Sequence, residues 1–224
     1  MPHTSLLLFL LGLACGVALW ATSAFRRVTP WWLRGLLIAS GFFMVSRYVA
    51  IAVFASAETP EQVWWMRHCW FATSLGLPLA SAVAVDQVVR HPAMTPKKLL
   101  TWLAPFLIIY LTIILFGTMT LVPDRVVGWT IHLSHGWQML LASTQATFVV
   151  GFLATSLILF RKIPSPRIRR ILLCLMGGQV LLACEGVFLA LGVWDVRPYL
   201  YYSEPLVLLA IWYALETAMS LRDA

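Results

Sequence analysis

The stretch "GFFMVSRYVAIAVF", residues 41–54, is as apolar as a membrane span except for Arg47 near its middle. Hydrocarbon tolerates a guanidinium poorly, so an arginine there marks a bundle interior with a partner or a functional position. The same apolar texture extends in both directions. Of the 224 residues, 61% are hydrophobic and only 11% charged, and mean hydropathy is +0.85. Soluble domains carry about a quarter charged residues. The apolar residues recur in blocks of about twenty, the length a helix needs to cross a bilayer core. The sequence therefore predicts an all-α membrane protein: a single domain forming a seven-transmembrane-helix bundle.

The expected helices span about 4–25, 31–56, 62–89, 98–121, 131–160, 168–193 and 199–221. Proline or charge punctuates each break, in "RRVTP", "SAETPE", "RHPAMTPKK", "VPDRVVG", "RKIPSPRIRR" and "WDVRP". Residues 5–21 are read as a retained first span rather than a cleaved signal, because no Lys or Arg precedes them and Arg26-Arg27 follows. Pro78 and Pro105 fall inside helices three and four, where they favour kinks. Trp31, Trp32, Trp64, Trp65, Trp129, Trp137 and Trp194 cluster near segment ends, where indole rings anchor at the interface.

Net charge is +7 and the isoelectric point about 9.6, yet the distribution excludes a nucleic-acid face. Loops one, three and five hold Arg26, Arg27, Arg34, Arg90, Lys97, Lys98, Arg161, Lys162, Arg167, Arg169 and Arg170. Loops two, four and six hold Arg125 and Arg197 beside Glu58, Glu61, Asp124 and Asp195. This bias predicts the N-terminus outside and the C-terminus in the cytoplasm. The bacterial cytoplasmic (inner) membrane is the expected location, with membrane lipids as partners.

Chemistry-bearing motifs are sparse. Cys15, Cys69, Cys174 and Cys184 lie in apolar segments without CxxC spacing and read as small hydrophobes. The last helix has no lysine for retinal, and the histidines do not form the paired sets of a diheme protein. His132 and His135 stand three apart without a nearby third ligand. No HExxH, GxSxG or P-loop occurs. The expectation is a non-enzyme without cofactor or metal.

The ionisable residues within spans are Arg47, Arg67, His68, Asp86, Glu185, Glu204 and Glu216. Counting at about 1.5 Å per residue puts Arg47 and Glu185 both roughly 12–14 Å below the outer surface, so Glu185 is the expected partner of Arg47. That pair reads either as a structural ion pair or as part of a pocket. Glu204, in "YSEP", falls in a first helical turn, where free amides favour a carboxylate. Asp86 and Arg90 have the spacing of a local pair, Arg67 can snorkel to head groups, and Glu216 is expected to face water or the cytoplasmic loops. Arg47, His68, Glu185, Glu204, Tyr201, Tyr202 and Trp70 are the candidate lining of an outward-facing ligand pocket, having aromatic walls and a few convergent polar groups.

Three stretches carry a resemblance: "VWWMRHCWFATSLGLPLASAVAVD" (63–86), "GWTIHLSHGWQMLLAS" (128–143) and "SPRIRRILLCLMGGQVLLACEGVFLALGVWDVRPYLYYSEPLVLLAIWYAL" (165–215). With their order, the chain resembles the seven-helix sensor region at the N-terminus of bacterial histidine kinases and diguanylate cyclases. The resemblance implies signal reception, here without an output domain, and hence a report through a partner protein. The basic loop Arg161–Arg170 is the expected docking surface, with anionic-lipid contact as its other reading. Two further expectations stand beside the sensor: a non-catalytic subunit of a larger membrane complex, or a small-solute transporter.

Overall fold

The computed structural model describes residues 2–28, 31–89, 95–124, 128–191 and 200–220; at 2–4, 24, 96, 186, 188–191 and 200–202 it describes the backbone alone. The chain is mostly helical. Its elements are α1 (Pro2–Phe25), α2 (Trp31–Ser56), the one-turn α3 (Pro60–Val63) continuing as a 3₁₀ segment (Trp64–Phe71), α4 (Thr73–Val89) and α5 (Pro96–Phe116). Strands β1 (Met119–Asp124) and β2 (Gly128–Leu133) follow, then α6 (His135–Lys162), α7 (Pro166–Leu191) and α8 (Leu200–Ser220). Among the described residues, five stretches are long and apolar enough to cross a membrane: Ser5–Ser23, Trp31–Ser56, Pro60–Val89, Lys97–Phe116 and His135–Lys162. The class this defines is a helical protein compatible with residence in a membrane. Large apolar side chains on its outside, including Phe9, Trp102, Phe116 and Val150, agree with that.

Local chemistry explains the helix starts. Thr59 and Pro60 open α3, and the Gln62 side chain turns back to accept from the Glu58 and Thr59 amides at 3.0 and 3.4 Å. Thr95 caps α5, its hydroxyl oxygen accepting from the Lys98 amide at 3.4 Å, with Pro96 in the first helical position.

The structure corrects the expectation of an all-α chain. The segments expected as the end of helix four (to 121) and the start of helix five (from 131) form an antiparallel hairpin instead, in register from Met119↔Leu133 to Asp124↔Gly128. Gly117 caps α5 in an extended conformation, its amide donating to the Ile113 carbonyl at 2.9 Å, and a Cβ there would collide with that carbonyl. Short apolar runs such as "MTLV" and "WTIHL" fit either period, and their threonine, valine and isoleucine content fits a pleated strand. The hairpin folds onto the end of α2: Ile131 is buried with Ala50, Phe54, Val63 and Met66, and Trp129 Nε1 donates to the Ala57 carbonyl at 3.2 Å.

Gly128 makes that seating tight. Its φ is +75°, and an added Cβ would lie 2.7 Å from the Phe54 carbonyl oxygen. Gly128→Ala is therefore expected to destabilise the protein by about 1–3 kcal/mol, combining the left-handed penalty with a clash against backbone. The thermal unfolding midpoint of the detergent-solubilised variant checks this.

Helix α4 with its leading segment sits at the centre. Of the most apolar part of Pro60–Val89, 78% is buried, against 22–39% for the other four stretches. Its short side chains let neighbours approach, and polar groups then link them, as is common between membrane helices. Ser40 Oγ on α2 donates to the Gly76 carbonyl at 2.6 Å. Gln145 on α6 reaches Ser74 at 3.3 Å, and Gln179 on α7 reaches Ser81 at 2.9 Å. Helices α1 and α8 meet through Trp20 and Trp212, with ring centroids 4.3 Å apart.

Candidate functional site

The buried face of α2 follows helical spacing through Leu33, Leu37, Ser40, Met44, Tyr48 and Ile51. Arg47 flanks this face, and only 15% of its side chain is exposed. On α8, Ser203, Glu204, Val207, Leu208 and Ile211 form the buried face. Thr73 is the first residue of α4, where the 3₁₀ segment gives way to α-helix. These three helices converge on one polar cluster.

Arg47 Nη1 donates to Thr73 Oγ1 at 2.7 Å, and Nη2 lies 3.3 Å from Glu204 Oε1. Thr73 passes the contact on, its hydroxyl donating to the same Glu204 oxygen at 3.2 Å. A buried charge needs a partner of this kind, because desolvation otherwise costs several kcal/mol. On α7, Glu185 accepts a hydrogen bond from the Ser203 hydroxyl, and its carboxylate stands within electrostatic reach of Glu204. The cluster thus joins α2, α4, α7 and α8.

Its hydrogen bonding is incomplete. Among the described residues, the buried Arg47 Nε, Tyr48 OH and Glu204 Oε2 have no hydrogen-bond partner. Tyr48 is fully buried, and Glu204 and Arg47 are the charged groups acting most strongly on its hydroxyl. Buried polar atoms are rarely left this way in folded proteins, so three in one cluster set it apart from the surrounding packing. Tyr48 also borders an open apolar groove of about 410 Å³ between α1 and α2.

The arrangement changes the expected pairing. Arg47 pairs with Glu204 rather than with Glu185, which lies beside the pair as a second carboxylate. Residue counting along a helix gives height but not azimuth, and it assumes that helices begin level with one another. Helix α2 runs about nine residues past Arg47, whereas α8 begins about four residues before Glu204.

The other candidate residues are placed elsewhere. His68 Nδ1 lies 2.6 Å from the Ile114 carbonyl, which belongs to the last turn of α5, where carbonyls lack helical partners. Trp70 packs on Phe54, ring centroids 5.0 Å apart, in the apolar layer beneath the hairpin. The side chains of Tyr201 and Tyr202 lie outside the described residues, as does Arg90, the expected partner of Asp86. Arg67 lies over the Trp64 ring at 4.5 Å. Glu216 forms an exposed pair with Arg27 at 3.2 Å. Among the described residues, no group of three or more His, Cys, Asp or Glu is arranged to hold a metal.

Tyr48, Thr73 and Ser203 are the members that sequence reading missed. Tyr48 directly follows Arg47, and Ser203 directly precedes Glu204, so both were visible as polar neighbours of the charged residues. Compared with protein-family models, curated proteins and solved structures, the chain matches none.

Proposed function

We propose that the protein is a seven-helix membrane sensor, receptor-like in action, whose interior cluster responds to a small ligand or lipid head group. In this reading α7 and α8 join the five apolar stretches as spans, since 26 and 21 residues reach across a core about 30 Å thick. The N-terminus lies outside and the C-terminus inside, as the loop charges favour. The resemblance to kinase and cyclase sensor regions is part of the proposal.

One observation carries it: a buried Arg47–Glu204 pair that ties α8 to α2 and α4, in a cluster where three buried polar atoms are unpartnered among the described residues. Intramembrane charges are costly and tend to mark function. A ligand that satisfied those atoms would alter the contact between α8 and its neighbours. The signal would leave through the exposed Arg161, Lys162, Arg167 and Arg170, a surface suited to an acidic partner.

A thermal-stability screen of polar solutes and head-group analogues on nanodisc-embedded protein tests this. At least one solute should raise the midpoint of the wild type and leave R47Q/E204Q unmoved. The double change removes both charges together, so neither is left buried alone. Absence of any such solute, with stoichiometric co-purification of a second membrane protein, would favour the complex-subunit reading instead.

A further inference from the structure

Helices α6 and α7 are joined by a short turn, residues 163–165. Around it, Arg161, Lys162, Arg167, Arg169 and Arg170 crowd together, and no Asp or Glu lies between Asp124 and Glu185 in the sequence. The turn is held from within. Pro164 and Pro166 restrict its backbone. Arg169 Nε donates to the Ile163 carbonyl at 2.8 Å, and its guanidinium lies over the Phe160 ring, 5.5 Å from the centroid. The other four cations are exposed, and among the described residues none of them is in a salt bridge.

The outer surface beside these cations is apolar. Leu157 and Ile158 are 42% and 54% exposed one turn before Arg161, and Leu173 is 52% exposed one turn after Arg169 and Arg170. One helical turn rises about 5.4 Å. The head-group region of a bilayer extends about 5–7 Å beyond the hydrocarbon on each side. Cations one turn past an apolar flank therefore stand at the level of lipid phosphates.

We infer that the α6–α7 turn is a binding surface for anionic phospholipid, its cations on the phosphates and its apolar flank on the chains. The inference rests on α6 and α7 being spans, as in the reading above, and is independent of what the central cluster binds. Arginine forks match phosphate oxygens, and juxtamembrane basic clusters are drawn to anionic lipid. An acidic protein segment would meet the same charges but leave the apolar flank unused. A signalling partner then engages this turn by displacing lipid from it.

The test titrates detergent-solubilised protein with phosphatidylglycerol, against phosphatidylcholine of the same chains, following the thermal unfolding midpoint. Phosphatidylglycerol should raise the midpoint by several degrees as it saturates, and phosphatidylcholine far less. Each cation removed should raise the half-saturating concentration about fivefold. R161Q/R167Q/R170Q should thus lose the response over the range that saturates the wild type. All three side chains are exposed, so the variant should fold normally. R161K/R167K/R170K keeps the charges and should retain most of the rise. R47Q/E204Q should retain all of it.

Equal rises with the two lipids would assign the effect to the chains alone and overturn the inference. So would an equal rise with glycerol phosphate, which carries the anion without the chains, or an undiminished rise in R161Q/R167Q/R170Q. A loss in R47Q/E204Q would move the lipid to the central cluster, overturning this surface while supporting the sensor reading. An octaglutamate peptide that bound equally tightly with and without phosphatidylglycerol would assign the turn to an acidic protein partner and overturn the inference as well.

Discussion

Arg47→Ala lowers stability by about 3–5 kcal/mol, the largest loss expected from any single change in this protein. The effect comes less from the missing attraction than from what remains. Glu204 stays on the buried face of α8 with its guanidinium gone. Among the described residues, Thr73 then offers the one contact left to Oε1, a single hydroxyl at 3.2 Å. A hydroxyl supplies about 1 kcal/mol net, far below the cost of an unpaired buried carboxylate. Replacing both members, as in R47M/E204L, should recover much of the loss, because apolar residues can pack where an ion pair must be desolvated. Unfolding in mixed micelles, followed by circular dichroism, measures all three proteins on one scale. A loss below about 1 kcal/mol in Arg47→Ala would place the arginine in water rather than against Glu204.

Gly76→Ala is the second large effect. A Cβ on Gly76 would lie 2.9 Å from the Ser40 carbonyl oxygen and 3.5 Å from the Phe43 Cβ. The nearest of these is backbone and cannot rotate away, so α2 and α4 must separate. Separation also lengthens the 2.6 Å bond from Ser40 Oγ to the Gly76 carbonyl. Overpacking of this kind costs about 1–3 kcal/mol, and weakening the hydrogen bond adds about 1 kcal/mol. Gly12→Ala provides the contrast. A Cβ there meets nothing within 4 Å, and the change should be neutral or slightly stabilising, since glycine weakens a helix interior by about 0.5–1 kcal/mol. Equal losses in the two variants would mean that α2 and α4 are not in close contact at Gly76.

Much of the helical framework was legible because it depends on local signals. Long apolar runs bounded by proline and charge gave helix positions close to those observed for α2, α6 and α7. The hairpin was not legible in the same way. The runs Met119–Val122 and Trp129–Leu133 are each apolar enough to extend a neighbouring helix, and their docking on Phe54, Ala57 and Val63 favours the strand pairing. The 3₁₀ segment Trp64–Phe71 also interrupts what reads as one continuous helix. Its side chains serve two neighbours, with Trp70 against Phe54 and His68 against the last turn of α5.

The site was half legible for a related reason. Charge inside a hydrophobic span is visible from composition alone, so Arg47, Glu185 and Glu204 stood out together. Which carboxylate faces the arginine depends on how far each helix projects and how it is turned, and neither is written in residue spacing. His68 and Trp70 show the same dependence on helix placement. Both are polar or amphipathic residues near the right height, and both are used by the local packing of their own segment.

The most direct test is a pair of double-mutant cycles measured in the same membrane mimetic, one across Arg47 and Glu204 and one across Arg47 and Glu185. Conservative neutral replacements, Arg47→Gln, Glu204→Gln and Glu185→Gln, keep side-chain volume nearly constant. Contacting residues in one network couple by about 0.5–3 kcal/mol. The Arg47–Glu204 cycle should fall in the upper half of that range, and the Arg47–Glu185 cycle should be clearly smaller. The reverse order, or no coupling across Arg47 and Glu204, would contradict an interior organised around that pair.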